Sequence, residues 1–353
     1  MVMFHPARIL LIKPSSFGDI VHCLPVLAAL KHHWPNAEVD WAVKREWAGL
    51  LTGHPMLRRV VFFPGTAWEG VRSWQTLRRD GYDMVIDLQG LLRSGLYAAL
   101  TGSPVRVGFD DSREGSSWFY SRRIKVSNNA VHAVDRCLDL VRQIGVKTAP
   151  TPAFPVPDGK QEQEWVDGLW RRIQIRDGEA VCIIHPSARW PTKRWPTERF
   201  AQLADGLIAR ERMRIMIVGS GSEASQIEQM SRQMSQPAIN LAGETELLQL
   251  AALLRRANLL VSNDSGPMHL AAAVGTPVVA IFGPTDPSRV GPYGDGHVVL
   301  RKEIDCSRCT RRACIRDALC MKAIGVSDVF EAVRAVVNRS KGNLAAAGAS
   351  EVS

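Results

Sequence analysis

This 353-residue sequence contains no long apolar run and no nucleic-acid-binding signature. No apolar stretch approaches the roughly 18 residues that cross a bilayer, and residues 1–6 lead directly into a strand pattern rather than into a secretory signal. We therefore expect a protein that is made and kept in the cytoplasm. Zinc-finger spacing, a long basic helix and stacked aromatic motifs are also missing, so we predict that nucleic acid is not a partner.

The sequence also lacks a paired set of cysteines and a complete dinucleotide fingerprint. Seven cysteines are an odd number, and a chain with 46% hydrophobic residues can build ordinary cores without a disulfide scaffold. The glycine-rich turn Gly219-Ser-Gly-Ser-Glu223 has no third glycine, which argues against a nicotinamide-dependent oxidoreductase. Such an enzyme remains the competing class, because it can use a similar pair of α/β domains.

Positive charge is concentrated in the first part of the chain. The formal net charge is +9, and residues 1–150 hold 19 Lys and Arg against 13 Asp and Glu. This excess indicates an anionic partner, and charge alone does not choose among nucleic acid, an acidic membrane surface and an acidic small molecule. The alternative is a basic face that is only solvated.

A strand, a tight turn and a helix are indicated by residues 257–275. The apolar run 259–261 is broken at Asn263-Asp-Ser-Gly266, and Pro267 opens an alanine-rich segment that ends at Gly275. The first turn of such a helix has N–H groups without intrahelical partners, which suits a phosphate or diphosphate. Asp264 can accept hydrogen bonds from sugar hydroxyls beside it; the alternative is that Asp264 and Ser265 only cap the helix.

A second strand-turn-helix stands near the N-terminus. The strand pattern at residues 7–13 is followed by Pro14-Ser-Ser-Phe-Gly-Asp19 and then by a helical segment at 20–33. Asp19 is thus a single carboxylate at the mouth of a helix. It could cap that helix, or it could accept a proton from a hydroxyl nucleophile.

Strands and helices alternate along most of the chain, which predicts an α/β protein with parallel, doubly wound sheets. Residues 146–161 are rich in proline and lack periodicity, so we place a linker there. The predicted division is a domain at 1–150, a domain at 151–325, a helix at 326–338 and a disordered tail at 339–353. Ligands of such sheets gather at the carboxyl ends of strands, where Asp19, Gln89 and Arg93 should lie.

Four cysteines are clustered near the C-terminus as Cys306-x2-Cys309-x4-Cys314-x5-Cys320. Four thiols could bind a structural metal ion tetrahedrally, although the spacing is not that of two C-x2-C knuckles. The alternatives are a loop of reduced thiols or a labile disulfide.

Five motifs in this order resemble those of glycosyltransferase family nine, the bacterial ADP-heptose:lipopolysaccharide heptosyltransferases. They are Lys13-Pro-Ser-Ser-Phe-Gly-Asp19-Ile, His185-Pro-Ser-Ala with Lys193-Arg-Trp-Pro, Leu241-Ala-Gly-Glu-Thr245, Ser262-Asn-Asp-Ser-Gly-Pro-Met-His269 and Phe282-Gly-Pro-Thr-Asp-Pro. The resemblance implies a GT-B fold, in which two Rossmann-like domains face each other across a central cleft. It also implies inverting transfer without a metal or other cofactor, and a final helix at 326–338 that packs across the domains.

The resemblance implies roles for individual residues. Asp19 matches a catalytic base, and Lys193 matches a cation that offsets charge on the departing ADP. Donor-binding positions are Ser187, Glu223, Thr245, Asp264, Ser265, Gly266 and His269, the last of which could instead only pack. Acceptor-binding positions are Ser16, Gly18, Gln89 and Arg93.

The implied partners are ADP-heptose and the anionic inner core of lipopolysaccharide. The acceptor would be Kdo-lipid A or heptosyl-Kdo-lipid A, and the resemblance favours the enzyme that adds the first heptose over heptosyltransferase II. The enzyme would touch the cytoplasmic face of the inner membrane peripherally, where the basic first domain would attract the acceptor. A non-enzymatic alternative is a metal-binding or scaffold protein built around the cysteine cluster.

Overall fold

The computed structural model of the chain describes residues 5–176, 178–306 and 309–350. The chain forms two compact units, Met1–Pro157 and Asp158–Ser353. The division lies inside the proline-rich segment 146–161 that the sequence marks as a linker.

Six parallel strands form the sheet of the first unit, in the order β3-β2-β1-β4-β5-β6. The strands are β1 Arg8–Ile12, β2 Glu38–Val43, β3 Arg59–Phe62, β4 Met84–Asp87, β5 Val105–Phe109 and β6 Arg122–Ile124. In β1 every residue from Ile9 to Ile12 is fully buried. A parallel strand covered by helices on both faces has no solvent side, which is why this segment is an unbroken apolar run.

The helices of the first unit follow the strands in alternation. They are α1 Phe17–His33, α2 Ala67–Arg79, α3 Leu92–Leu100 and α4 Ala133–Gln143, with 3-10 turns at Arg45–Leu50 and Ser116–Phe119. Helix α1 begins at Phe17 rather than at the predicted residue 20, because the Asp19 carboxylate accepts from the N–H and the hydroxyl of Ser16 and so closes the first turn.

The second unit repeats this architecture with its own six parallel strands, in the order β12-β11-β10-β7-β8-β9. They are β7 Val181–His185, β8 Arg214–Ile217, β9 Ile239–Asn240, β10 Leu259–Asn263, β11 Val278–Ile281 and β12 Val298–Leu300. Its helices are α5 Lys160–Arg172, α6 Thr197–Glu211, α7 Ala224–Ser231, α8 Leu247–Arg256, α9 Gly266–Ala273, α10 Pro287–Val290, α11 Leu319–Lys322 and α12 Val326–Ser350. The two-sheet α/β prediction is therefore confirmed.

Helix α12 packs against α6 and strands β10, β11 and β12 of its own unit. It continues to Ser350, so the predicted helix end at residue 338 is too early, and residues 339–350 of the predicted disordered tail are helical. Alanine, leucine and lysine between these positions are strong helix formers, which supports the continuation. Residues 351–353 lie outside the described residues. Within the described chain, no helix has the length and apolar character needed to cross a membrane.

Each sheet has one switch point, where the strand order reverses. In the first sheet it lies between the neighbours β1 and β4, and in the second between β7 and β10. The chain leaves neighbouring strands in opposite directions there, so a crevice opens at their carboxyl ends. The residues after these four strands are therefore the first place to look for a site.

Candidate functional site

The first switch point holds Asp19 beside the end of β1. The chain leaves β1 at Lys13, turns, and enters α1 with Ser16 as the capping residue. Oδ2 of Asp19 accepts hydrogen bonds from the backbone N–H of Ser16 at 2.9 Å and from its hydroxyl at 2.7 Å. These bonds fix the carboxylate at the carboxyl edge of the sheet.

Lys13 supplies positive charge to this crevice. Its side chain is buried, and its ammonium donates to the carbonyl of Leu88 at 2.9 Å, which ties the end of β1 to the end of β4. Burial alone would raise the pKa of Asp19, but the Lys13 charge and the bonds from Ser16 outweigh it and lower the pKa. Asp19 is therefore a carboxylate at neutral pH. Sequence reasoning did not assign Lys13, although it opens the motif that contains Asp19.

Asp87 ends β4 and organises the loop that follows. It is fully buried and accepts bonds from the N–H of Gln89 at 2.8 Å and of Gly90 at 3.2 Å, and from the hydroxyl of Tyr120 at 2.8 Å. Burial raises the pKa of Asp87 despite these bonds. This second carboxyl, also missed by sequence reasoning, holds the turn that carries Gln89.

The predicted acceptor residues lie in this unit in different settings. Ser16 and Gly18 belong to the turn and first helical residues around Asp19. The side-chain oxygen of Gln89 is buried and has no hydrogen-bond partner among the described residues. Arg93 is exposed; its guanidinium donates to the carbonyl of Pro64 and lies 5.3 Å from the centre of the Phe63 ring.

At the second switch point a lysine and an aspartate form a direct ion pair. The ammonium of Lys193 is 2.6 Å from Oδ2 of Asp264, and the hydroxyl of Thr285 donates to the same oxygen at 2.6 Å. Asp264 follows β10, Lys193 lies on the loop after β7, and Thr285 follows β11. The structure thus brings together the two residues of the prediction and adds Thr285, which lies in the quoted motif Phe282-Gly-Pro-Thr-Asp-Pro.

Aromatic and amide contacts position the Lys193 loop. The Lys193 ammonium lies 4.7 Å from the centre of the Trp190 ring, an arrangement that holds a cation by its attraction to the ring face. Asn263 donates from its side chain to the carbonyl of Pro186 at 2.7 Å and accepts from the N–H of Trp195 at 3.0 Å. The end of β10 therefore clamps both ends of the loop that carries Lys193.

Helix α9 points its N-terminus into this crevice. Ser265 is the capping residue, Gly266 is the first helical residue, and His269 is buried one turn along. The hydroxyl of Ser265 is 3.1 Å from Nδ1 of His185, the last residue of β7. Unpaired N–H groups and the positive end of the helix dipole make this terminus suitable for a phosphate group.

Two neighbouring loops carry Glu223 and Thr245. Gly243 adopts φ +78°, and a side-chain carbon on it would stand 3.2 Å from Gly221, so the loops touch backbone to backbone. Burial raises the pKa of Glu223, but His185, 3.8 Å away, and the bonds from Ser220 lower it to about 2. Glu223 is thus a fixed anion at the rim of this crevice.

Ser187 follows β7 and is fully buried. Its hydroxyl has no hydrogen-bond partner among the residues that the structure describes. A buried hydroxyl without a partner loses free energy unless a ligand binds it, which agrees with the predicted donor-binding role without testing it.

The cysteine cluster packs behind the Lys193 loop. The Thr192 hydroxyl donates to the carbonyl of Arg311 at 2.8 Å, and the N–H of Thr310 donates to the carbonyl of Pro284 at 2.9 Å.

Burial raises the pKa of Cys320, and the neighbouring thiols of the cluster raise it further. All four cysteines, Cys306, Cys309, Cys314 and Cys320, are unpaired by disulfides. Among residues 5–306 (without 177) and 309–350, the structure shows no set of three His, Cys, Asp or Glu side chains arranged to hold a metal.

Comparison with known proteins gives consistent matches. Residues 71–319 match the family model of glycosyltransferase family 9 (heptosyltransferase). The lipopolysaccharide heptosyltransferase 1 of Pseudomonas aeruginosa is 31% identical over 329 residues, which cover 87% of each chain.

Solved structures share the fold. A family 9 glycosyl transferase from Veillonella parvula superposes with a TM-score of 0.82 at 22% identity, covering 94% of this chain and 97% of that one. An E. coli heptosyltransferase solved with ADP has a TM-score of 0.73 at 24% identity, covering 93% and 99%. The predicted GT-B class is thereby confirmed as a fold of two Rossmann-like units.

Proposed function

The chain belongs to glycosyltransferase family 9, the heptosyltransferases, and from that premise we propose that it transfers heptose from ADP-heptose to the lipopolysaccharide inner core. The observation that carries the proposal is the Asp19 carboxylate at the first switch point, which accepts hydrogen bonds from Ser16 and has a lowered pKa. The names of the relatives support the heptose and the lipopolysaccharide, and a relative solved with ADP supports the nucleotide.

In the proposed reaction an acceptor hydroxyl attacks the anomeric carbon of the donor. Asp19 takes the hydroxyl proton as the new carbon–oxygen bond forms, and the bond from that carbon to the diphosphate oxygen breaks. The attack comes from the side opposite the departing ADP, so the configuration is inverted. General-base assistance of this kind contributes about 10²–10⁴ in rate.

The second switch point is proposed to hold the donor. The N-terminus of α9 and the Lys193 ammonium would bind the diphosphate, and Lys193 would offset the charge that develops on ADP as it departs. An ammonium has three N–H donors, so Lys193 can keep its bond to Asp264 while it contacts phosphate. Asp264 would accept bonds from heptose hydroxyls, Ser187 and His269 would contact the donor nearby, and Glu223 and Thr245 would bind the ribose and adenine.

No metal is needed in this proposal, because Lys193 and helix α9 supply the positive charge. The four cysteines Cys306, Cys309, Cys314 and Cys320 could still hold a structural ion away from the chemistry. Elemental analysis of purified protein decides this: one equivalent of zinc or iron would assign the loop as a metal site, and none would leave it as reduced thiols.

The first unit is proposed to bind the acceptor and the second the donor. We favour Kdo-lipid A as the acceptor, which makes the enzyme a heptosyltransferase I, because the compared relative carries that name. The alternatives are a heptosyltransferase II, which adds the second heptose, or another family-nine transferase. Ser16, Gly18, Gln89 and Arg93 would contact the acceptor sugar while the lipid stays in the cytoplasmic face of the inner membrane, where the enzyme makes peripheral contact.

The decisive experiment combines binding and turnover. Calorimetry compares ADP, GDP, UDP and NAD on the native protein, and ADP-heptose is then assayed with Kdo-lipid A and with heptosyl-Kdo-lipid A. Selective ADP binding and transfer to Kdo-lipid A alone would support the proposal. Transfer only to the heptosylated acceptor would favour the second-heptose enzyme, and preferential NAD binding without transfer would favour an oxidoreductase.

A further inference from the structure

An aromatic pair lies next to the turn between β1 and α1, which carries Asp19. The ring of Phe17, two residues before Asp19, stacks on the indole of Trp47 with centres 5.6 Å apart and planes 16° apart. Trp47 belongs to the 3-10 turn Arg45–Leu50 that directly follows β2. The N–H of Lys44 bonds to the carbonyl of Pro14 at 3.1 Å, so this turn is fixed to the loop that carries Asp19.

The indole N–H of Trp47 is buried and has no hydrogen-bond partner among the described residues. A buried donor without a partner costs roughly 1–3 kcal/mol, and structures retain few of them. The indole N–H can only donate, so the group that satisfies it must be an acceptor such as a hydroxyl or carboxylate oxygen. The ring itself is partly exposed and offers an apolar surface beside this donor.

Gln89 presents the complementary atom on the other side of β1. Its side-chain oxygen is a buried acceptor without a partner in the described structure. In the sheet order β3-β2-β1-β4, the strands that lead to Trp47 and to Gln89, β2 and β4, are the two neighbours of β1, which leads to Asp19. Two strand spacings separate β2 from β4, a distance of roughly 10 Å that is comparable to the span of one sugar ring with its hydroxyls.

We propose that Trp47 is an acceptor-binding residue that, with Gln89, forms a subsite for one sugar unit around Asp19. A sugar hydroxyl can both donate and accept a hydrogen bond. One hydroxyl oxygen can therefore accept a hydrogen bond from the Trp47 N–H, while another hydroxyl donates to the side-chain oxygen of Gln89. This arrangement would fix the ring and present a third hydroxyl to Asp19. The inference rests on the proposed function, because it takes Asp19 as the base and the sugar as the acceptor.

Steady-state transfer kinetics with Trp47→Phe test the subsite. Phenylalanine keeps a ring that can stack on Phe17 but removes the N–H, so we expect the KM for Kdo-lipid A to rise about tenfold, while the KM for ADP-heptose stays unchanged. Trp118→Phe is the matched control, since this indole is 79% exposed in the same unit and should change neither value. An unchanged acceptor KM in Trp47→Phe, with normal activity of the native enzyme, overturns the inference.

A binding measurement separates this inference from the proposed function. The indole N–H resonance of Trp47 is assigned by its absence from the Trp47→Phe spectrum, or from that of Trp47→Tyr if the first variant folds poorly. Free Kdo should shift this resonance, ADP should not, and the Trp118 resonance should stay in place. A native protein that does not transfer heptose refutes the proposed function. A Trp47 resonance that does not shift when Kdo is added refutes the subsite, even if transfer occurs.

Discussion

Each switch point brings a lysine close to the aspartate of interest, Lys13 to Asp19 and Lys193 to Asp264, but the hydrogen bonds of the two pairs differ. In the first unit Lys13 donates to the carbonyl of Leu88, and Asp19 takes its hydrogen bonds from Ser16. In the second unit Lys193 donates directly to Asp264 at 2.6 Å. The same residue types at the same place in the fold therefore produce a carboxylate held beside a cation in one unit and an ion pair in the other.

The difference matches the two roles proposed for these units. A general base must keep a lone pair for the incoming proton, and a nearby but separate lysine keeps it ionised without occupying it. A site for an anionic diphosphate must not present a bare carboxylate, and one bond from Lys193 covers Asp264 while the other N–H donors of the ammonium stay available for phosphate. The predictions below test this contrast from the largest expected effect to the smallest.

Asp19→Asn should separate binding from catalysis. The amide keeps the shape and can still accept from Ser16, but it cannot take the acceptor proton, so kcat should fall about 10²–10⁴-fold while both KM values stay near those of the native enzyme. Steady-state measurement of ADP release checks this. A decrease of less than about tenfold would remove Asp19 as the base.

The pH dependence of kcat/KM tests independently whether the ionised Asp19 carboxylate is required for activity. The native pKa of Asp19 is lowered, so activity that needs the carboxylate should fall only as the pH drops towards that lowered value. Ser16→Ala removes the hydroxyl that helps to lower the pKa, and its acid limb should therefore lie at higher pH. An acid limb that does not move would show that another group sets it.

Lys193→Met should damage both the donor site and the stability of the second unit. The thioether chain fills similar space without charge, so kcat should fall about 10²–10³-fold and ADP should bind more weakly. Asp264 is only 5% exposed, and losing its ion pair should cost about 3 kcal/mol in the free energy of unfolding.

A double variant separates these two effects. Lys193→Met with Asp264→Asn removes the buried unpaired charge, so denaturant unfolding should show most of the stability regained. Turnover should not return, because the counter-charge for the diphosphate is still missing. Recovery of turnover in the double variant would contradict the proposed role of Lys193.

Thr285→Val should show a smaller effect on the donor side. Valine matches the shape of threonine but cannot donate to Asp264 at 2.6 Å, so the carboxylate is held less firmly and the KM for ADP-heptose should rise about tenfold. Thr276→Val is a matched control, since that buried hydroxyl donates to the carbonyl of Leu254 instead. Equal kinetic effects of both variants would show that Thr285 contributes only packing and that its hydrogen bond to Asp264 has no specific role in donor binding.

Glu223→Gln should change how stability depends on pH. The folded pKa of about 2 lies below the ordinary value of 4.5, so the carboxylate stabilises the fold above pH 4.5, and this contribution is lost as the pH falls towards 2. The variant should be less stable at neutral pH by at most about 3 kcal/mol and equal to the native protein near pH 2. Denaturant unfolding across this range, with the exposed Glu228→Gln as control, measures the difference.

The strands were predictable because their composition follows from where they lie. Residues 9–12 and 259–261 are buried on both faces, so they are continuous apolar runs that a sequence displays directly. The order of the strands was not visible, since pairing of β1 with β4 depends on contacts across about 75 positions. Short elements such as β6, with three residues, leave too little pattern to detect.

Candidate residues could be named from the sequence where a motif contains them, and could not where only folding brings them together. Asp19, Lys193 and Asp264 each stand in a recognisable motif. Thr285 was in a quoted motif but its role appeared only when the structure placed it on Asp264. Trp47 could not be singled out from the sequence, because the argument for it depends on its indole N–H having no hydrogen-bond partner among the residues that the structure describes.

The pairing of β1 with β4 also has a consequence for how the enzyme acquires its activity during folding. Ile12 lies opposite Asp87, and Ser262 lies opposite His185, so both crevices depend on strand pairs that are 75 and 77 positions apart in the chain. Closing such long loops is entropically costly, and distant strand pairs form slowly. Helices can therefore form well before either crevice exists, and the return of transferase activity during refolding reports the docking of β4 and β10 rather than the recovery of helical structure.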